Sequence, residues 1–179
     1  MMNKPTGFDD AQAFGEFETL PAGGYVCTLK KVVCEKTQMG KEYLKIGFDI
    51  AEGKYTDFYQ RKFDGDTRKD KKWSGVWAVF IEGFEPDTTN PKFKGLITSV
   101  ENSNSGFKFD FDEQKLVGKK VGIVFREEEF IGQDGLIHTA VKPFYAVPTE
   151  KVNEVKTPNK KLLTENAVSD NSSSDDLPF

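Results

Sequence analysis

The chain has 179 residues, which is long enough for one well-buried domain with a tail but short for two domains. Its formal net charge is −4, which excludes a uniformly basic coat protein. No apolar run is long enough to cross a bilayer, and the two cysteines lack a C-x-x-C pattern, so we expect a protein of the reducing cytoplasm. Cys27 and Cys34 are seven positions apart, which on one strand predicts opposite faces and no disulfide.

Residues 1–19 are predicted to form a flexible polar arm that ends at a turn-forming cluster, Leu20 to Gly24. Two strands are predicted next, over about 25–34 and 42–51, on either side of a turn at Gly40. Apolar and polar residues alternate along the second of these strands. Its apolar face is therefore expected to be buried.

A third strand is predicted from about Tyr55 to Phe63, after a turn at 52–54. A charged loop follows over 64–72. The period then changes, because the apolar residues of 73–84 recur at the spacing of one helical face. This segment is predicted to be a helix, with Trp77 in the core.

A second short helix is predicted over Phe93 to Val100, whose apolar residues fall at i, i+3, i+4 and i+7. Residues 107–111 are expected to be extended. Two more strands are predicted over 117–130 and 136–147, joined by an Asp-Gly turn. Pro143 predicts that the last strand is an edge strand or is bulged.

Three strands, a helical insert and two strands follow the order of the OB-fold, a five-stranded Greek-key barrel. The predicted fold is therefore mainly β, with an OB-fold domain over 20–147, a linker over 148–174 and a C-terminal tip over 175–179. After Leu163 the sequence has acidic residues but no Lys or Arg. Its composition predicts a disordered acidic tail.

Rings and cations are interleaved from the second predicted strand to the start of the first predicted helix. Flat rings stack on unpaired bases, and Lys and Arg neutralise the phosphates of a single strand. The second and third strands form the usual oligonucleotide-binding face of an OB-fold. The predicted DNA-binding residues are Tyr43, Lys45, Tyr55, Tyr59, Arg61, Lys62, Phe63, Arg68, Lys69, Lys71, Lys72 and Trp73. The alternative is an ordinary solvated face with several of the rings in the core.

The sequence predicts no catalytic site, metal site or cofactor. His138 is the only histidine, and no Ser-His-Asp or Cys-His set can be assembled without it. Zinc-ligand spacing and phosphate-loop glycine spacing are both absent. Acidic residues at 110–113 and 127–129 could hold Mg²⁺ in a nuclease, but a solvated acidic surface is expected. We therefore expect a protein that is not an enzyme.

The chain ends in Asp175, Asp176, Leu177, Pro178 and Phe179. Such an end can place its ring in an apolar pocket while a basic rim binds the carboxylates. It resembles the acidic C-terminal tip of bacterial single-stranded-DNA-binding proteins, which recruits replication and repair enzymes. The resemblance implies that these five residues bind partner proteins. A tail that only aids solubility is the alternative.

Five short segments of the body occur in order: Leu20-Pro21-Ala22-Gly23 before Tyr25, Lys41 to Ile46, Asp66-Thr67-Arg68, Lys71-Lys72-Trp73 and Leu116 to Lys119. Together they resemble the single-stranded-DNA-binding proteins of bacteriophages and mobile elements. The resemblance implies sequence-independent binding of single-stranded DNA during DNA replication, recombination or repair in the bacterial cytoplasm. The alternative function is an OB-like adaptor that binds a protein instead of DNA. The short linker and the tip with only two Asp depart from the cellular family, and homo-oligomerisation is left open.

Overall fold

The computed structural model describes residues 2–9 and 18–163, which form one five-stranded antiparallel sheet with helices packed against it. The strands are β1, Gly23–Lys36; β2, Glu42–Ile50; β3, Val76–Phe80; β4, Lys120–Ile131; and β5, Ile137–Val147. The helices are α1, Phe58–Asp64, and α2, Pro91–Ser103, with short 3-10 helices at Glu113–Leu116 and Thr149–Glu154. The strand order is β3-β2-β1-β4-β5.

Four strands and one helix are confirmed where their local patterns predicted them. β1, β2, β4 and β5 match the predicted segments within a few residues. In α2 the predicted apolar face is buried against the sheet, and the Asn90 side chain caps the helix by accepting the backbone N–H of Lys92 at 2.9 Å. Residues 107–111, which were expected to be extended, contain no strand.

The predicted third strand is wrong. Residues 55–63 contain a turn followed by the start of α1. The Asp49 carboxylate on β2 accepts the backbone N–H groups of Tyr59 and Gln60, at 2.9 and 3.0 Å. The first N–H groups of a helix have no partner within the helix, and Asp49 accepts two of them here. Asp49 therefore favours a helix in a segment that begins several residues after it.

The predicted helix over 73–84 is also wrong, because this segment contains β3. Trp77 and Val79 point into the core, where 7% and 2% of their surfaces are exposed, so the predicted burial of Trp77 is confirmed. Gly75 allows the start of β3 to approach the neighbouring elements closely. A Cβ atom at this position would lie 2.4 Å from the Phe48 carbonyl oxygen.

A β-bulge interrupts β1 between Leu29 and Lys31. The extra residue, Lys30, shifts the alternation by one position, so Lys30 and Lys31 are both exposed. The bulge also returns Cys27 and Cys34 to the same face, which corrects the prediction of opposite faces. The two thiols are free, one buried and one exposed, and the seven-residue separation along the strand keeps them roughly 20 Å apart.

The sheet is open. β3 and β5 are its terminal strands, and no pairing between them closes a barrel within 18–163. Pro143 lies at a register shift on β5, as predicted for an edge strand. A groove of about 1040 Å³ separates β3 from β5.

The chain after β5 stays against the sheet for part of the predicted linker. The side chain of Val152 is buried, with 7% of its surface exposed, and Lys161 forms an isolated parallel bridge with Glu128 of β4. The predicted tip, Asp175–Phe179, lies outside the described residues.

Candidate nucleic-acid interface

The side of the sheet opposite the main core presents three rows of residues across β1, β2 and β3, which we call the outer face. The strand register gives these rows as Lys31–Gly47–Val76, Val33–Lys45–Ala78 and Glu35–Tyr43–Phe80. Cationic and small apolar side chains make up the first two rows, while rings and a carboxylate make up the third. The outer face therefore changes from basic to aromatic along the strands.

A pocket of about 520 Å³ opens on this face, and we call it the outer-face pocket. Its lining residues are Lys30, Lys31, Val33, Glu35, Lys45, Gly47, Gln60, Lys72, Trp73 and Val76. Gly47 lies on the middle strand of the three and has no side chain, so the pocket has a backbone floor between side chains of β1 and β3. The bulge in β1 contributes two consecutive lysines to the rim.

The outer-face pocket has a net positive charge. Glu35 is the single carboxylate among the described residues that line it, and it lies 3.6 Å from the ammonium of Lys45 and accepts the Tyr43 hydroxyl at 2.7 Å. The other lysines of the pocket make no ion pair within the described residues: Lys30, Lys31 and Lys72. Their charges are therefore available to a ligand with phosphate groups.

Trp73 forms a wall of the pocket and is held in one orientation. Its indole N–H donates to the carbonyl oxygens of Phe48 and Gly75, both at 3.1 Å. Phe63 packs against the indole with a centroid distance of 5.8 Å, and the Lys71 ammonium lies 4.5 Å from the Phe63 ring centre. A ring fixed in this way is preorganised for contact with a flat ligand.

Tyr43 was predicted to stack on bases, but only 2% of its surface is exposed. Its ring packs beside Phe80 with a centroid distance of 5.8 Å. The hydrogen bond to Glu35, with a smaller contribution from burial, raises the pKa of Tyr43 to about 12. We infer that this tyrosine supports the outer face and does not stack on DNA.

The raised pKa of Tyr43 predicts how its contribution to stability depends on pH. The folded-state pKa lies above the ordinary value of 10.0, so the contribution is complete below about pH 10 and is lost as the pH rises towards 12. Urea unfolding of the wild type and Y43F should therefore give a larger difference in unfolding free energy at about pH 9 than at about pH 12. Tyr25, whose pKa is also raised to about 12, is present in both proteins and cancels. An equal difference at both pH values would contradict the assigned hydrogen bond.

Several other predicted DNA-binding residues lie along the groove between β3 and β5. Tyr59, Arg61 and Lys62 of α1 line it, and Trp73 lines both the groove and the outer-face pocket. The Arg61 guanidinium is 3.0 Å from a Glu18 carboxylate oxygen. Tyr59 has only 7% of its surface exposed and packs in the core, so the structure does not present its ring to a ligand.

The remaining predicted residues line neither cavity: Tyr55 precedes α1, Phe63 lies within it, and the others follow it. Tyr55 is half-buried and packs edge-on against Tyr25 at 5.8 Å. Arg68 makes a bidentate contact with the carboxylate of Asp66, which lowers the pKa of this carboxyl to about 2. The other three residues of this group are Phe63, Lys69 and Lys71. Of the predicted set, Lys45, Lys72 and Trp73 are the three that meet at the outer-face pocket.

The sequence prediction missed seven residues that line the pocket: Lys30, Lys31, Val33, Glu35, Gly47, Gln60 and Val76. Two signals pointed to some of them. Two adjacent lysines inside an otherwise alternating strand are typical of a bulge, since a regular strand would turn one of them inward. A glycine inside a strand also marks a place where a ligand or another backbone can approach closely.

The acidic run in β4 does not oppose the outer face with three free charges. Glu128 pairs with the Arg126 guanidinium at 2.8 Å, and Glu129 pairs with Lys160 at 2.9 Å. Glu127 lines the groove between β3 and β5. The run therefore contributes one of its carboxylates to the groove and none to the outer-face pocket.

Comparison of the chain with protein-family models and with curated proteins finds no match. Within the described residues, no helix has both the length and the apolar content needed to cross a membrane. The same residues contain no group of three His, Cys, Asp or Glu side chains arranged to hold a metal ion. The geometry and charge of the outer face are therefore the features from which a function can be inferred.

Proposed function

We propose that the chain binds single-stranded DNA without sequence preference, through the outer face of β1, β2 and β3. The observation that supports this most strongly is the outer-face pocket, where Lys30, Lys31 and Lys72 surround a cavity with a fixed tryptophan wall. Phosphates need cations, and bases need flat or apolar surfaces. The chain would act in the bacterial cytoplasm as a non-enzymatic protein of phage or mobile-element DNA replication or recombination.

The strand order supports an OB-fold as the architecture behind this function. The pairings β1–β2, β2–β3, β1–β4 and β4–β5, with α2 between β3 and β4, are those of an OB-fold without its closing pair. The OB-fold is described as a partly open barrel, and its second and third strands carry the oligonucleotide-binding face. The outer-face pocket has Gly47 of β2 and Val76 of β3 in its lining. Recruitment of DNA-processing enzymes through Asp175–Phe179 remains a prediction.

Titration with oligo(dT) at two salt concentrations tests the proposal. We expect tryptophan fluorescence to be quenched, because Trp73 lines the pocket while Trp77 is buried. Binding should weaken steeply with salt, since each neutralised phosphate of a single strand adds about 0.7 to the slope of log affinity against log salt. W73F should lose most of the quenching but keep binding that is measured by the anisotropy of a labelled strand. Absence of binding even at low salt would overturn the proposal.

One observation favours the alternative, a protein-binding adaptor. The groove between β3 and β5 is bordered by two strand edges without strand partners within the described residues, and such edges can accept an added peptide strand. Its charges are mixed, because Arg61 is paired with Glu18 and Glu127 also lines it. We favour DNA on the outer face because Lys30, Lys31 and Lys72 of the pocket there make no ion pair within the described residues. A purified chain that binds no single strand would make the adaptor the better proposal.

A further inference from the structure

The outer-face pocket has room for a nucleobase as well as cations for phosphates. Its volume of about 520 Å³ is within the range of pockets that enclose small organic ligands. Val33, Val76 and Trp73 give it apolar and aromatic walls, and the backbone of Gly47 lies at its floor. Lys30, Lys31 and Lys72 also line the pocket and are exposed, so they could contact the phosphates on either side of a bound base.

Gln60 supplies a polar group at this pocket. Its side-chain nitrogen donates to both carboxylate oxygens of Asp64, at 3.0 and 3.1 Å, which orients the amide. The amide oxygen accepts no hydrogen bond within the described residues. Nucleobases carry N–H donors on their pairing edges, so this oxygen is a suitable acceptor for an unpaired base.

We propose that a single unstacked base of the bound strand inserts into the outer-face pocket, over Gly47 and against Trp73, while the lysines bind its flanking phosphates. This inference rests on the proposed function, since it assigns a base site within the same surface. It differs from stacking on exposed rings, because two of the predicted stacking tyrosines, Tyr43 and Tyr59, are buried. The bound DNA would therefore cross β2 at Gly47, where this β-strand has no side chain.

Gly47 allows the pocket to be filled without loss of charge. A Cβ atom at this position would meet its nearest neighbour, the Lys31 Cβ, at 3.5 Å, which is an ordinary van der Waals contact. The backbone of Gly47 is not in the left-handed region, so a side chain is tolerated there. G47F would occupy the cavity, and G47A is the matched control because a methyl group leaves most of it open.

The experiment compares oligo(dT) with an abasic strand of the same length, each titrated into wild type, G47A and G47F. We expect G47F to weaken oligo(dT) binding about tenfold, the loss of one base contact, and to leave both the affinity for the abasic strand and the salt slope unchanged. G47A fills only part of the cavity, so its loss of oligo(dT) affinity should be smaller than that of G47F. V33W fills the same pocket from β1 and is the second variant if G47F does not fold.

Each other result has a distinct meaning. If G47F and V33W bind oligo(dT) as tightly as the wild type, no base inserts into the pocket, and the proposed function stands. If they lose affinity equally for both strands, the pocket binds phosphates and the base site is also wrong. If the wild type binds neither strand, the proposed function fails and the base site fails with it.

Discussion

Replacement of both Lys31 and Lys72 by alanine is expected to weaken oligo(dT) binding by roughly 60-fold at about 50 mM salt and by roughly tenfold at about 200 mM. Both side chains line the outer-face pocket, and neither makes an ion pair within the described residues. Loss of two phosphate contacts should also reduce the slope of log affinity against log salt by about 1.4. Fluorescence anisotropy of a labelled strand over a range of salt concentrations measures both quantities.

Lys94 and Lys151 provide the matched control for this double variant. Both lysines are exposed, one on α2 and one on the 3-10 helix Thr149–Glu154, and neither lines the outer-face pocket. Their replacement by alanine changes the net charge by the same amount, so a response to overall charge would appear equally in both double variants. Equal losses of oligo(dT) affinity in the two double variants would contradict binding through the outer face. Lys45 is not used, because its loss would leave Glu35 without its nearest cation.

The confirmed elements are those whose signals are local. In α2 the apolar residues repeat with the helical period, and Asn90 and Pro91 mark its start. In β2 the alternation of apolar and polar residues is carried by the strand itself. Each of these patterns requires only that one face be buried against the rest of the chain. Sequence was therefore sufficient for β1, β2, β4, β5 and α2.

The two elements that were predicted wrongly are α1, expected to be a strand, and β3, expected to be a helix. Both depend on contacts between residues that are distant in the sequence. α1 begins where the carboxylate of Asp49, ten residues before Tyr59, accepts backbone N–H groups. β3 has only five residues, and a short apolar run does not distinguish a strand from a helix by its period. Pairing with β2 makes this segment a strand, and Gly75 permits the start of β3 to lie close to Phe48 and Tyr59.

The site was predicted in part for a related reason. Interleaved rings and cations identified Lys45, Lys72 and Trp73, which do meet at the pocket. Composition does not tell which rings face inward, so Tyr43 and Tyr59 were included although both are buried. Lys30 and Lys31 were missed because β1 was predicted as a regular strand, without the bulge that turns both of them outward.

Asp49→Ala is expected to lower the free energy of unfolding by about 3 kcal/mol, the largest loss that we predict for a single polar side chain in this protein. Asp49 has 1% of its surface exposed, and its carboxylate accepts the backbone N–H groups of Ile50, Tyr59 and Gln60 at 2.8, 2.9 and 3.0 Å. Removal of the carboxylate would leave these donors unpaired beside the core. Urea unfolding followed by circular dichroism at neutral pH measures the loss.

Two variants test whether the hydrogen bonds of Asp49 are the cause. Asp49→Asn keeps the volume and one accepting oxygen, so we expect an intermediate loss of about 1.5 kcal/mol. Asp64→Ala removes an exposed carboxylate from the same helix and should change the unfolding free energy by less than about 0.5 kcal/mol. If Asp64→Ala lowered the unfolding free energy as much as Asp49→Ala does, the negative charge of these residues would stabilise α1, and not the hydrogen bonds of Asp49.

Asp49→Ala also tests whether the outer-face pocket depends on a stable α1. α1 carries Gln60, and the chain that leaves it leads to Lys72 and Trp73, all three of which line the pocket. Loosening of α1 in Asp49→Ala should therefore weaken oligo(dT) binding even where the protein remains folded, although residue 49 does not line the pocket. Asp49→Ala protein that is folded and binds oligo(dT) with wild-type affinity would show that the pocket keeps its shape without a fixed α1. In that case the preorganisation of Trp73 would have to come from its indole hydrogen bonds to Phe48 and Gly75 alone.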